Sequence, residues 1–173
     1  MAKTLPVFNL DQATPEQREA AMEIQQDRNL AGQPLGAIWS SLMPSPNAAR
    51  RIARVGAHCR FNSVLTEHQR EVAILAAACP MGFAYEATYH ETYAANLGVP
   101  REVIADVMAG RLEALPAEFR VVAQLSRAVA MGEPSDEALA AVRSQLGERA
   151  AIDLVATAAY YTMLQRISGA LLP

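Results

Sequence analysis

The sequence predicts an all-α fold, a compact multi-helix bundle around a central antiparallel helix hairpin, and three observations carry that expectation. Helix-start signatures recur: in Thr14-Pro15-Glu16-Gln17 and Thr66-Glu67-His68-Gln69, a threonine precedes a glutamine by three residues, the spacing at which side chains and backbone N–H groups bond reciprocally. Glycine and proline punctuate apolar stretches of helical length, at Gly98-Val99-Pro100, Gly110, Gly132-Glu133-Pro134 and Gly147, as expected of helix ends and starts. No Asn-Gly or Asp-Gly turn separates alternating apolar and polar runs, so the usual hairpin signal of β-structure is missing.

Composition narrows the class. Of 173 residues 51% are hydrophobic and 19% charged, which is too apolar for disorder, and no run approaches the ~20 apolar residues of a membrane span. A formal net charge of −3 offers phosphates no basic face, so neither nucleic acid nor membrane is an expected partner. The N-terminal Met1-Ala-Lys-Thr-Leu-Pro lacks the apolar core of a secretory signal. Cys59 and Cys79 are the two cysteines, too few for a disulfide framework and too far apart for a C-x-x-C pair. A cytoplasmic location, with both thiols reduced and buried, follows as the expectation. The length suits one domain, 1–173, divided into an extension (1–45), a core (46–110) and C-terminal helices (111–173).

In chain order, the first helix starts at capped Pro15 and runs to about Leu30. The stretch Leu35 to Pro46, rich in proline and glycine, reads as loop or short helix anchored by Trp39, the one tryptophan. A helix after Ser45-Pro46 turns Ile52, Val55 and Cys59 inward and Arg50, Arg51 and Arg54 outward, with His58 near its end. The helix after Thr66 carries Val72, Ala73, Leu75, Ala76 and Cys79, apolar nearly all round until Pro80. That composition marks a central, buried helix, with His68 facing water in its first turn. A turn at Cys79-Pro80-Met81-Gly82 reverses the chain into a helix from Phe83 to Leu97, with Tyr85, Tyr89 and Tyr93 as an aromatic ridge. Further helices are expected near 101–109, 116–131, 136–146 and 148–171. The last presents Ile152, Val155, Ala156, Ala159, Tyr160, Met163 and Leu164 to the core or to a subunit interface.

Three residues do not belong in so apolar a hairpin: Glu71, Glu86 and His90. Glu86 and His90 are four apart and share a helix face, where a carboxylate fixes an imidazole tautomer. Glu71 precedes the turn by about as many residues as His90 follows it, so the two are level across the pair. A histidine among carboxylates in an apolar setting suits general acid/base work, because burial and nearby charge tune proton affinity. The plainer reading is a solvated Glu86/His90 pair with Glu71 serving Arg70 or Arg60. With three histidines and no H-E-x-x-H arrangement, a metal site is not expected. His58 and Tyr85 are candidates for the hairpin mouth.

The segment Leu65-Thr66-Glu67-His68-Gln69-Arg70-Glu71, the helix Tyr85-Glu86-Ala87-Thr88-Tyr89-His90, and Leu97-Gly98-Val99-Pro100 together resemble the carboxymuconolactone decarboxylase and alkylhydroperoxidase-D-like superfamily over roughly residues 45 to 110. In its peroxidase branch a C-x-x-C pair heads the second helix; here those positions read Phe83 and Glu86, and thiol–disulfide cycling needs both sulfurs. The resemblance therefore implies the decarboxylase-like branch, whose chemistry needs no organic cofactor, with Glu71, Glu86 and His90 catalytic on a small carboxylated lactone-like substrate; His58 and Tyr85 at the hairpin mouth, and Arg70 as the arginine nearest in sequence, are the candidates for contacting it. It also implies a homo-oligomer, trimer or hexamer. The alternatives are a thiol-dependent antioxidant protein using Cys59 or Cys79, and a non-catalytic helical oligomer binding a small ligand.

Overall fold

A computed structural model describes residues 8–81, 84–133 and 135–172, with side chains described outside 81–86. Among the described residues there are nine α-helices and no strand, and no helix is long and apolar enough to cross a membrane. Contacts group the chain into two compact units, one of residues up to Asn62 together with those from Arg166, the other Ser63–Gln165.

In the first unit α1 (Pro15–Asp27) opens on the Thr14 capping box, α2 is the short Ala37–Leu42, and α3 is Pro46–Ala57. Trp39 is buried and stacks under the Arg28 guanidinium, 4.8 Å from ring centroid to Cζ, a cation–π contact that pins α2. The inward face of α3 differs from the expectation: Ala49, Ala53, Gly56 and Ala57 are buried while Val55 is 50% exposed and Ile52 only half-buried. Small residues let the backbones of α1 and α3 approach closely, which turns the β-branched side chains aside. The arginines sit at the edge of that contact, where Arg50 and Arg54 reach Glu23 at 3.1 and 3.3 Å. Past α3, a π-helical turn His58–Asn62 buries Cys59.

The second unit is built around α4 (Glu67–Ala78), in which Arg70 through Ala78 are all buried. A helix apolar on every side must be covered on every side. Here α5 (Ala84–Leu97), α6 (Arg101–Ala109) and, most extensively, α7 (Ala117–Met131) pack on it. Two further helices, α8 (Asp136–Leu146) and α9 (Glu148–Leu171), follow. Val72, Leu75, Ala76, Val103, Val107, Val122, Leu125 and Leu154 form one continuous core. Alanines along α4 set short helix–helix distances and favour the helix itself. Thr66 and Gln69 make the reciprocal capping box that fixes where α4 begins, and so fixes which residues stand one turn later. Gly110 ends α6 at φ +74°, a left-handed backbone conformation that favours glycine.

His68, expected in water, instead donates from Nε2 to the Leu97 carbonyl at 3.0 Å, tying the start of α4 to the end of α5. A histidine suits that place because the last carbonyls of a helix lack intrahelical partners. Replacing the cap, Thr66→Ala, should lower the unfolding free energy by about 1 kcal/mol. Urea denaturation measures it, and an unchanged midpoint at constant slope would show that the box contributes nothing.

Candidate active site

The capping box sets Arg70 and Glu71 in the second turn of α4, already inside the unit, and the antiparallel return of α5 brings His90 level with them. Glu71 is fully buried and His90 is 1% exposed. His90 Nδ1 lies 2.6 Å from Glu71 Oε2; a carboxylate only accepts, so Nδ1 carries the proton and donates. This is a short, charge-assisted geometry in a dry setting.

The imidazole is held in plane as well as at one end. Its ring meets Tyr161 of α9 edge to face, centroids 5.0 Å apart and planes at 89°, and meets Tyr89 at 5.1 Å and 81°. Edge-to-face contacts of this kind set ring orientation. On the other side of the carboxylate, Arg70 Nε stands 3.5 Å from Glu71 Oε1, its side chain only 7% exposed. Glu71 thus faces one cation on its own helix and one imidazole on the next. Glu71 orients the imidazole through Nδ1; the side chain of Glu86, which helix spacing also places beside His90, lies outside the described residues.

The side chains of Tyr85 and Glu86 lie outside the described residues. His58 caps α3 in the first unit and is exposed. The aromatic ridge expected on α5 is a surface feature where described: Tyr89 is 54% exposed and stacks on Tyr93 at 6.3 Å. Among the described residues no group of three or more His, Cys, Asp and Glu is arranged to hold a metal ion. Cys79, expected to be buried, is half-buried. Burial pushes its thiol up, the neighbouring Arg127 guanidinium opposes that, and Glu91 adds to it.

Two residues of α9 escaped the sequence reading: Tyr161, whose ring meets His90, and Gln165, buried one turn further along. The signal was available: Leu154, Ala158, Tyr161 and Gln165 follow the helical spacing of one face, all buried, so a glutamine interrupts an apolar stripe.

Residues 46–125 match the model of the carboxymuconolactone decarboxylase family, a segment running from the start of α3 into α7. No curated protein matches the chain.

Glu71→Ala would take from the buried His90 Nδ1–H its acceptor and leave the Arg70 guanidinium with Glu67 as its carboxylate. A loss of about 3–5 kcal/mol in unfolding free energy is expected, the range for breaking a buried pair, and a loss below about 1 kcal/mol in denaturant titration would contradict this geometry. For Cys79, alkylation by iodoacetamide in a Cys59→Ala background should show a pH midpoint above that of an unfolded cysteine. Because the folded thiol ionises later than the unfolded one, its contribution to stability is whole below the unfolded value and fades as pH rises through both.

Proposed function

We propose, from the similarity of residues 46–125 to the carboxymuconolactone decarboxylase family, a cofactor-independent acid/base enzyme, a carboxy-lyase acting on a small carboxylated lactone-like molecule. The observation that carries the reading is the buried Glu71–His90 hydrogen bond of 2.6 Å between two helices of an apolar hairpin.

In a γ-carboxylated unsaturated lactone the bond from ring carbon to carboxylate breaks and CO2 leaves. The electron pair passes through the conjugated double bond to the lactone carbonyl oxygen, giving a dienolate. His90 in its imidazolium form places an N–H beside that developing charge and then gives its Nε2 proton to the ring carbon. The electron pair ends in the new C–H bond, and water restores the proton to the imidazole. Glu71 stabilises the imidazolium through Nδ1 and keeps the ring aimed, a division of labour in which preorganised charge lowers the barrier. Arg70, an ion-pair partner of both Glu67 and Glu71, supplies the positive charge in this cluster; a substrate carboxylate is suited to it.

Depth of burial supports a second reading. With His90 1% exposed and Glu71 at zero, the pair can serve as a polar staple that specifies the register of α4 and α5 and does no chemistry. The thiol reading has less support, since a thiol raised by burial holds less of the reactive thiolate at neutral pH.

Incubation of the protein with γ-carboxymuconolactone and a panel of related carboxylated unsaturated lactones, with CO2 release followed, separates these. The acid/base reading predicts turnover of at least one, lost about 10²–10⁴-fold in folded His90→Ala. A folded His90→Ala that turns over as the wild type does would remove the imidazole from the mechanism. No turnover across the panel would leave the staple reading.

A further inference from the structure

Gln165 of α9 is fully buried, and neither its amide nitrogen nor its carbonyl oxygen has a hydrogen-bond partner among the described residues. A carboxamide brings two N–H donors and an acceptor oxygen, and about nine in ten buried polar groups in native proteins are paired. A leucine or methionine would fill the same volume in a stripe whose other members are Leu154, Ala158 and Tyr161, without burying an amide.

Its place on the helix says what it faces. Gln165 is four residues after Tyr161, so the two share a face one turn apart. Helical side chains lean toward their own N-terminus, which directs the carboxamide back toward Tyr161, the residue whose ring edge meets His90 at 5.0 Å. Glu71 Oε1, beside the same imidazole, is likewise buried without a hydrogen bond, although Arg70 stands 3.5 Å away. Unspent hydrogen-bonding capacity is therefore found on two elements flanking one histidine.

We propose that Gln165 is a substrate-binding and specificity residue, whose Nε2 amide donates to a carbonyl or carboxylate oxygen of a small lactone-like anion held against His90. The inference rests on the acid/base reading of the Glu71–His90 pair and adds to it a neutral donor from α9. Such a donor recognises an acceptor oxygen and rejects hydrocarbon analogues of the same shape, because an analogue without the oxygen leaves the amide unpaired. It does not supply the proton.

The probe is 5-oxotetrahydrofuran-2-carboxylate, a saturated γ-carboxylated lactone lacking the double bond that would accept the electrons, so it binds without reacting. Calorimetric titration and thermal melting are run on the full chain as wild type, Gln165→Met and Gln165→Glu. Expected are binding by the wild type, at least tenfold weaker binding by Gln165→Met, and a melting temperature for that variant no lower than the wild type's. Wherever turnover of an unsaturated lactone is measurable, KM should rise in Gln165→Met while the pH profile stays in place, a pattern that a purely structural residue would not give. Should Gln165→Met fail to fold, Gln165→Glu, equal in size but repelling a carboxylate, must show the same loss of binding. Wild-type affinity in either folded variant overturns the role of Gln165 and leaves the proposed chemistry standing. A wild type that neither binds this lactone nor turns over an unsaturated one overturns both.

Discussion

A carboxylate with no exposed surface, in a helix whose neighbours are alanine, valine and leucine, cannot stand without partners. Taking such a group out of water costs several kcal/mol, and in this protein Glu71 meets that cost with the Nδ1–H of His90 at 2.6 Å and the Arg70 guanidinium at 3.5 Å. Much of the second unit follows from it. The hairpin of α4 and α5 has to hold one register, since a slip of a single residue would rotate Glu71 or His90 by about 100° about its helix axis and leave a bare charge in the core.

That constraint also explains why capping matters so far from any chemistry. The Thr66 box decides which residue is the fifth of α4, and that residue is Glu71. His68, three residues earlier, ties the same end of the helix to the Leu97 carbonyl, so the start of α4 is fixed to the end of α5. Tyr161 then closes on the imidazole from α9. Three helices, α4, α5 and α9, therefore set the position and tilt of one ring, the kind of rigid support that a proton-transferring group needs.

Much of this was legible in the chain itself. Both threonine boxes lie where Thr-x-x-Gln places them, glycines end α6 and α7, and the equal counts of residues on either side of the turn bring Glu71 and His90 level, because short-range patterns and antiparallel counting need no tertiary knowledge. What stayed hidden depends on neighbours. The inward face of α3 is set by how closely α1 approaches, so alanine and glycine displace Val55 from the interior. His68 looks like a solvent residue until the carbonyl end of α5 is known to lie beside it. Gln165 reads as an ordinary helix residue until its face is aligned with Tyr161 and Leu154.

The claim underlying all of this is that Glu71 holds His90 through Nδ1 inside the folded hairpin. Nitrogen-15 and proton NMR of the imidazole, with His90 assigned by comparison with His90→Ala, tests it most directly. The account predicts a proton on Nδ1, shielded from exchange with water and shifted downfield by its short bond to a carboxylate, and loss of that shift in Glu71→Gln. An Nδ1 that carries no proton, or a ring proton exchanging as fast as that of a free imidazole, would contradict it.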